Sequence, residues 1–403
     1  MPRDDAAVHG PYRVLMTHRF FEPGFRAGGP VRAIARLLDS CSEQVTVTLV
    51  TGDHDLGVPQ PYPGLSGRWL DRGRSRIFYL STRSPRQWWG LWRTLRREPF
   101  DLLYVNSLWC PFSITAILAT RLRLIRAARV TIAPRGEFSP AALALKATKK
   151  EIFLRLWGPF LRRGDVRWHA TCQLEADLIR RRLPWATALV CADEVDLPAE
   201  PIPPVRLADR LRLVFVGRVS PMKNLTLTLA ALARTTSPIT FDIYGPAEDP
   251  AYWARCRQLI SQLPSTVEVA YRGELHPDLV RETFAQYDAY AMPTLGENFG
   301  YTIVESLSAS CPVLCSDRTP WTGVLAAGGG VVLTRLTEDE LADQLERLAR
   351  MSPAERLALR GSAADAYRTW AAGERGVHIL DQMRLADRPG PAPRVGQRPY
   401  SSR

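Results

Sequence analysis

Leu213-Val214-Phe215-Val216-Gly217-Arg218-Val219-Ser220-Pro221-Met222-Lys223-Asn224 runs a buried strand into a glycine and then into two cations five residues apart. An unbroken apolar run of this kind marks a parallel strand covered on both faces. Gly217 at its end lets backbone approach a ligand closely, and the loop beyond leads into a helix. Arg218 offers a planar fork to phosphate oxygens, and Lys223 a point charge. A solvated loop with two unrelated cations is the competing reading.

Just upstream, the proline-rich stretch 198–204 reads as a linker. On both sides of it, short β-branched runs alternate with amphipathic stretches. Strands are predicted at 13–17, 45–51, 77–80, 102–106, 130–133, 166–170 and 188–191, and again at 213–217, 240–244, 267–271, 289–292, 313–315 and 331–333. Helical patterns fall at 31–38, 174–182, 338–350 and 353–370. The pattern predicts an α/β protein of two doubly wound domains facing across a cleft, with ligands beyond the carboxyl ends of the strands. The expected divisions are 1–197, a linker at 198–210, a second domain with terminal helices at 211–383, and a disordered tail at 384–403.

The 403 residues suit two domains, and 46% hydrophobic with 23% charged residues is ordinary for a globular chain. No apolar run approaches the roughly 20 residues of a membrane span, and Met1-Pro2-Arg3-Asp4-Asp5 has no signal-like apolar stretch. A cytoplasmic protein is expected, peripheral to the inner face of the membrane. The net charge is +12, and 80–182 holds 20 Lys or Arg against 7 Asp or Glu. Such a basic half suits an anionic membrane surface or an acidic substrate; a solvated Arg-rich surface is the plainer alternative. Only four of the cations are lysines, at 146, 149, 150 and 223. The seven cysteines form no regular framework and read as small apolar residues.

A second motif runs Pro293-Thr294-Leu295-Gly296-Glu297-Asn298-Phe299-Gly300 and on to Glu305. A strand ends, a glycine turn follows, and a helix starts near Gly300 whose free N–H groups suit a diphosphate. Glu297 on the turn can reach a ligand. Glu305, about one and a half turns into the helix, can accept paired hydrogen bonds from vicinal hydroxyls such as those of a ribose. The alternative makes Glu297 a helix cap. After the first strand, Gly28-Gly29 precedes a helix and could bring backbone amides to a phosphate or sugar; a flexible surface loop is the alternative. Gly-x-Gly-x-x-Gly is absent there, which argues against a nicotinamide enzyme. Asn106 and the Arg135-Gly136-Glu137 loop end two further strands, and Lys146, Lys149 and Lys150 follow on a helical pattern that could line the acceptor side of the cleft or face a membrane; a plain solvated helix is the alternative. Asp53-His54-Asp55 has the look of a metal-binding pair, but no other ligand accompanies it, so no metal is expected.

These residues resemble glycosyltransferase family 4, the retaining enzymes of GT-B fold, and among them the bacterial polysaccharide type. Gly217-Arg218 with Lys223-Asn224, Tyr244-Gly245-Pro246, Glu297 to Glu305, and Pro312-Val313 with Ser316-Asp317 occur in family order. The resemblance implies two Rossmann-like domains and transfer of a sugar from a nucleotide-diphosphate donor to a glycan or lipid-linked acceptor, without cofactor or nucleic acid. It implies that Arg218 and Lys223 hold the diphosphate, Glu305 the ribose and Glu297 the transferred sugar, with the amides of Asn298, Phe299 and Gly300 around them. Gly28, Gly29 and the 135–137 loop would serve acceptor binding and closure. Two departures stand out. The strand ending at Asn106 continues Ser107-Leu108-Trp109 where many relatives have a His, leaving Asn106 or His18 as substitutes. The usual Asn-Gly-Val-Asp at the domain junction reads Asp193-Glu194-Val195-Asp196. A nucleotide-sugar epimerase or hydrolase on the same fold, or a non-catalytic sugar-nucleotide binder, are the alternatives.

Overall fold

The computed structural model describes residues 10–144, 147–163, 165–206, 209–373 and 376–388. Its two sheets correspond to the two alternating blocks. Across the first, the order is Trp69–Arg72, Ser75–Leu80, Val45–Gly52, Tyr12–Thr17, Pro99–Asn106, Arg126–Ala133, Val166–Ala170 and Thr187–Val190. Every neighbour is parallel except the edge pair Trp69–Arg72 and Ser75–Leu80. Across the second, Val267–Gly273, Ile239–Tyr244, Leu211–Val216, Ala289–Met292, Val313–Ser316 and Gly330–Leu333 are all parallel.

Successive strand side chains point to opposite faces, so the first sheet needs a core on each side. Leu15 and Leu103 join one core with Leu91, Ile117, Leu154 and Ile179 from the helices Pro85–Leu95, Pro111–Arg121, Ala147–Arg162 and Gln173–Arg182. Val14, Met16 and Tyr104 join the other, with Ile34, Leu37 and Leu38 of the helix Gly29–Ser40. The second sheet is wrapped by one continuous core that reaches the helices Glu338–Arg350 and Pro353–Ala371.

Two elements depart from the sequence expectation. Trp69–Arg72 is an extra antiparallel edge strand, reached from Ser75–Leu80 through a turn at Gly73 with φ 56°. Its exposed Leu70 and Asp71 break the apolar run that reveals buried strands. The second is a helix, Ile379–Asp387, which straddles the boundary expected between the second domain and a tail. It returns to the first sheet, because Ile379, Leu380 and Met383 form an apolar stripe buried beside Val14 and Met16. Polar ties fix its ends: Tyr12 donates to Asp387 at 2.5 Å and the Ser42 amide to Asp381 at 3.2 Å. The remainder of the expected tail, 389–403, lies outside the described residues, as does Lys146. Among the described residues, no helix is long and apolar enough to cross a membrane.

Leu380 is fully buried in this inter-domain return, and deleting a buried leucine side chain typically costs about 2–5 kcal/mol. Leu380→Ala is expected to lower the urea midpoint of the first-domain unfolding transition accordingly. A midpoint within error of the parent would show that the helix is not docked.

Candidate active site

In each sheet the chain leaves the first strand of its block in one direction and later returns on the other side. In the second sheet this reversal falls between Leu211–Val216 and Ala289–Met292, the place where open α/β sheets hold ligands. The loops beyond these strands are sewn together. The Leu295 amide donates to the Met222 carbonyl at 2.9 Å, the Thr294 hydroxyl to the same carbonyl at 3.0 Å, and the Asn224 side-chain amide to the Pro293 carbonyl at 3.1 Å. Asn224 sits in the left-handed region (φ 57°) where the loop turns into the helix Leu225–Leu232.

This stitching brings Lys223 to Glu297, Nζ to Oε1 at 2.6 Å, with side chains 15% and 10% exposed. The Thr294 hydroxyl lies 3.0 Å from the same oxygen, its single proton shared between Glu297 and the Met222 carbonyl. Breaking so buried a pair from one side typically costs about 3–5 kcal/mol, so the geometry is held firmly. Glu297 is thus committed to Lys223 and does not cap the following helix. That helix, Tyr301–Ser308, has Gly300 at its N-cap and no side-chain cap, leaving its positive end to an anion. Gly300 is required there: φ is 86°, and a Cβ would stand 3.0 Å from Ile303 and 3.3 Å from Trp321. Arg218 lines the same cleft but pairs with Glu248 at 2.8 Å, both about one-third exposed.

The cleft between the domains encloses about 2770 Å³ and is lined by Gly28, Gly29, Arg135, Gly136 and Glu137 on one side and Gly217, Arg218, Lys223, Glu297 and Glu305 on the other. Several residues close it directly. Both Glu305 carboxylate oxygens are held by Arg32 of the helix Gly29–Ser40, with Nη2 to Oε2 at 3.2 Å. A Cβ at position 29 would come within 2.8 Å of the Tyr301 ring, so Gly29 is needed for packing of the two domains. Asn298 turns its side chain away from the helix dipole. With its nitrogen facing Glu175 it donates to both carboxylate oxygens, at 2.8 and 2.5 Å. Glu175 also accepts from the amides of Gly136 (2.7 Å) and Thr171 (2.8 Å). Arg26 pairs with Glu274 at 2.6 Å further along the seam. Arg32, Glu175 and Thr171 were not singled out in the sequence. Glu175 follows a strand end, which was a usable signal; Arg32 is one arginine among 49.

On the acceptor side the predicted residues are brought together, in different roles. Arg135, left-handed at φ 54°, donates from Nε to Asn106 at 3.1 Å and pairs with Asp193 of the altered junction. Asn106 is fully buried behind it, donating to the Thr17 carbonyl at 3.2 Å, and does not line the cleft. Glu137 accepts from the Ser107 hydroxyl and, at 2.6 Å, from the Leu108 amide. Burial pushes its carboxyl up to about 7. His18 is buried and neither ring nitrogen has a hydrogen-bond partner among the described residues; burial and the Arg135 charge push it down to about 3, so it is neutral. Asp55 accepts from the Phe25 (2.9 Å) and Arg26 (3.1 Å) amides, and Asp53 from Ser66 at 2.7 Å. The Asp53-His54-Asp55 run therefore anchors the cleft-lining loop. No group of three or more potential metal ligands occurs among the described residues.

Comparison with known proteins agrees with this architecture. Residues 28–191 match the glycosyl transferase 4-like domain, and residues 203–363 the glycosyl transferases group 1. A curated relative, O-antigen chain mannosyltransferase B of Escherichia coli, is 26% identical over 154 residues; that stretch is 36% of this chain and 39% of the relative. Two solved structures share the fold. Sucrose-phosphate synthase from Thermosynechococcus elongatus has a TM-score of 0.70 at 16% identity, over 93% of this chain and 98% of its own. HepE from Anabaena, in complex with UDP and glucose, has a TM-score of 0.66 at 15% identity over the same shares. Two facing Rossmann-like domains carrying these matches define a glycosyltransferase of GT-B fold. Within that class, the pairing of a 4-like first domain with a group 1 second domain makes the chain a family 4 glycosyltransferase.

Glu137 yields a pH dependence. Its folded carboxyl lies above the usual value of 4.5, so its contribution to stability is complete below that value and is lost as pH rises through about 7. Glu137→Gln removes this contribution's slope. Between pH 5 and pH 8 the variant's urea midpoint is expected to fall less than that of the parent; an equal fall contradicts the assignment.

Proposed function

We propose that the protein transfers a sugar, with retention at the anomeric carbon, from a nucleotide-diphosphate sugar to a glycan or lipid-linked acceptor of cell-surface polysaccharide or glycolipid synthesis. The observation that carries this reading is the largely buried Lys223–Glu297 pair at the mouth of an uncapped helix, with Glu305 about one and a half turns into that helix. In this reading Lys223 and Arg218 neutralise the leaving diphosphate, helped by the amides of Asn298, Phe299 and Gly300 and by the helix dipole. Arg218 turns from Glu248 to the phosphates, an exchange that its exposure permits. Glu305 receives the ribose hydroxyls, and Glu297 the hydroxyls of the donor sugar. The C1–O bond to phosphate breaks as the acceptor oxygen attacks the same face, and its proton passes to the departing phosphate oxygen. No metal enters the scheme. Arg135 and Glu137 shape the acceptor side, and Gly28 and Gly29 carry the closing loop.

Screening UDP-, GDP- and ADP-sugars for thermal stabilisation identifies the donor, since a ligand of the folded state raises its apparent stability. With that donor and a defined acceptor, Glu297→Gln is expected to lower kcat by at least about 100-fold, the scale of losing one preorganised electrostatic contact. Unchanged product formation refutes the role. Donor turnover at full rate without any acceptor would instead indicate a hydrolase or epimerase.

The acceptor proposal includes an anionic membrane surface. The helices Pro85–Leu95, Pro111–Arg121 and Ala147–Arg162 lie side by side on one face of the first sheet, linked by Trp88 against Phe112 and Arg121 over Phe160. From them Trp89 (74% exposed) and Leu156 (75%) project, among exposed Arg86, Arg93, Arg155 and Arg162. Exposed apolar side chains within a cationic field suit headgroup binding. The protein is expected to float with phosphatidylglycerol vesicles and not with phosphatidylcholine vesicles, and Trp89→Glu with Leu156→Glu to abolish it. Absence from both vesicle types overturns this part.

A further inference from the structure

Glu305 is the residue that the proposed function gives to ribose, and both of its oxygens are already taken. Arg32 approaches from the opposite domain as a two-pronged fork, one terminal nitrogen on each carboxylate oxygen. The Glu305 side chain is 7% exposed and that of Arg32 30%. A carboxylate filled by a guanidinium fork in so enclosed a place has no room for a pair of vicinal hydroxyls approaching from the cleft. The two occupants are mutually exclusive.

The position of Arg32 makes this exclusion informative. It lies in the first turn of Gly29–Ser40, three residues after Gly29, the second of the two glycines that line the cleft. Its guanidinium stands 5.9 Å from the centre of the Tyr301 ring, a residue of the same helix as Glu305. Of the other ties across the seam, Arg26 to Glu274 uses no donor residue, and Asn298 to Glu175 uses a side chain whose backbone amide, not the side chain, is assigned to the donor. Among the described residues, Arg32–Glu305 is the inter-domain ion pair made by a side chain assigned to the donor. When Glu305 leaves it, the arginine is stranded in a low-dielectric place without its counter-charge, a costly state that is relieved by moving towards water.

We infer that Arg32 is an internal competitor for the ribose site: in the empty enzyme it occupies Glu305 and latches the cleft, and the donor's ribose displaces it. The inference rests on Glu305 being the ribose ligand. Arg32 is thus a positioning residue that acts through Glu305. It sets the donor affinity and ties the arrival of the nucleotide to release of one inter-domain bond.

The test is calorimetric titration with UDP, GDP and ADP of the full chain, Arg32→Ala, Arg32→Gln and Glu305→Gln, each checked for an unchanged far-UV spectrum. The accepted nucleoside diphosphate is expected to bind Arg32→Ala about 5- to 30-fold more tightly than the parent. Arg32→Gln, which keeps most of the side-chain volume without the charge, should show the same direction should the alanine variant fail to fold. The gain should shrink to less than about 2-fold for the 2′-deoxynucleoside diphosphate, whereas a merely structural role for Arg32 would affect both nucleotides alike. Unchanged or weaker binding by the Arg32 variants overturns the latch. Glu305→Gln separates the two layers of the argument. If, in the Arg32→Ala background where no latch remains to be released, it leaves nucleotide binding intact, the ribose assignment itself fails; if it weakens binding there while the Arg32 variants do not strengthen it, only the latch fails. Failure of all three nucleotides to bind both parent and Arg32 variants overturns both.

Discussion

A parallel sheet sends the carboxyl ends of all its strands to one edge, and the rest of this structure depends on that constraint being met twice, with the two edges facing. Each strand must then be followed by a loop at the edge, and the loops nearest the reversal in strand order stand closest together. In the second sheet those are the loops after Leu211–Val216 and Ala289–Met292. Backbone bonds such as Leu295 to Met222 fuse them into one surface. Lys223 and Glu297, 74 positions apart in the chain, meet there at 2.6 Å because the topology leaves them few other places to go.

The sheets were legible in the sequence for a physical reason. Parallel strands buried on both faces must be nearly continuous apolar runs, and Val166–Ala170 and Ala289–Met292 coincide with the runs read at those positions. Trp69–Arg72 escaped because an edge strand needs no such run. The helix Ile379–Asp387 escaped because its stripe of three apolar residues is short and the target surface is more than 350 positions away in the chain, at Val14 and Met16. Chain order suggested the neighbouring second domain, but packing chose the first.

The candidate site was legible to the extent that its chemistry is local. The 217–224 and 293–305 segments announce cations, carboxylates and an uncapped helix within a few residues of one another. The seam between the domains carries no such signal. Arg32, Glu175 and Asp193 matter through partners in distant segments; a strand end marks Glu175 and the altered junction marks Asp193, but nothing in its immediate neighbours distinguishes Arg32 from a surface charge. Asn106 shows the opposite limit. Its place at a strand end was read correctly, yet its side chain points behind Arg135, away from the cleft wall, because the arginine's left-handed backbone at φ 54° brings the guanidinium over it.

These two sorts of residue divide the labour of the cleft. The stitched loops are rigid and self-contained, suited to holding charge in place as it develops. The seam is built largely of polar contacts between side chains of the two domains, suited to opening and closing. In the proposed reaction, nucleotide and diphosphate occupy the second-domain edge. A crystal structure with the preferred nucleoside diphosphate is the sharpest test. Ribose hydroxyls are expected on Glu305 and phosphate oxygens on Lys223 and Arg218; a nucleotide bound on the first domain, or one leaving Glu305 untouched, would refute this placement.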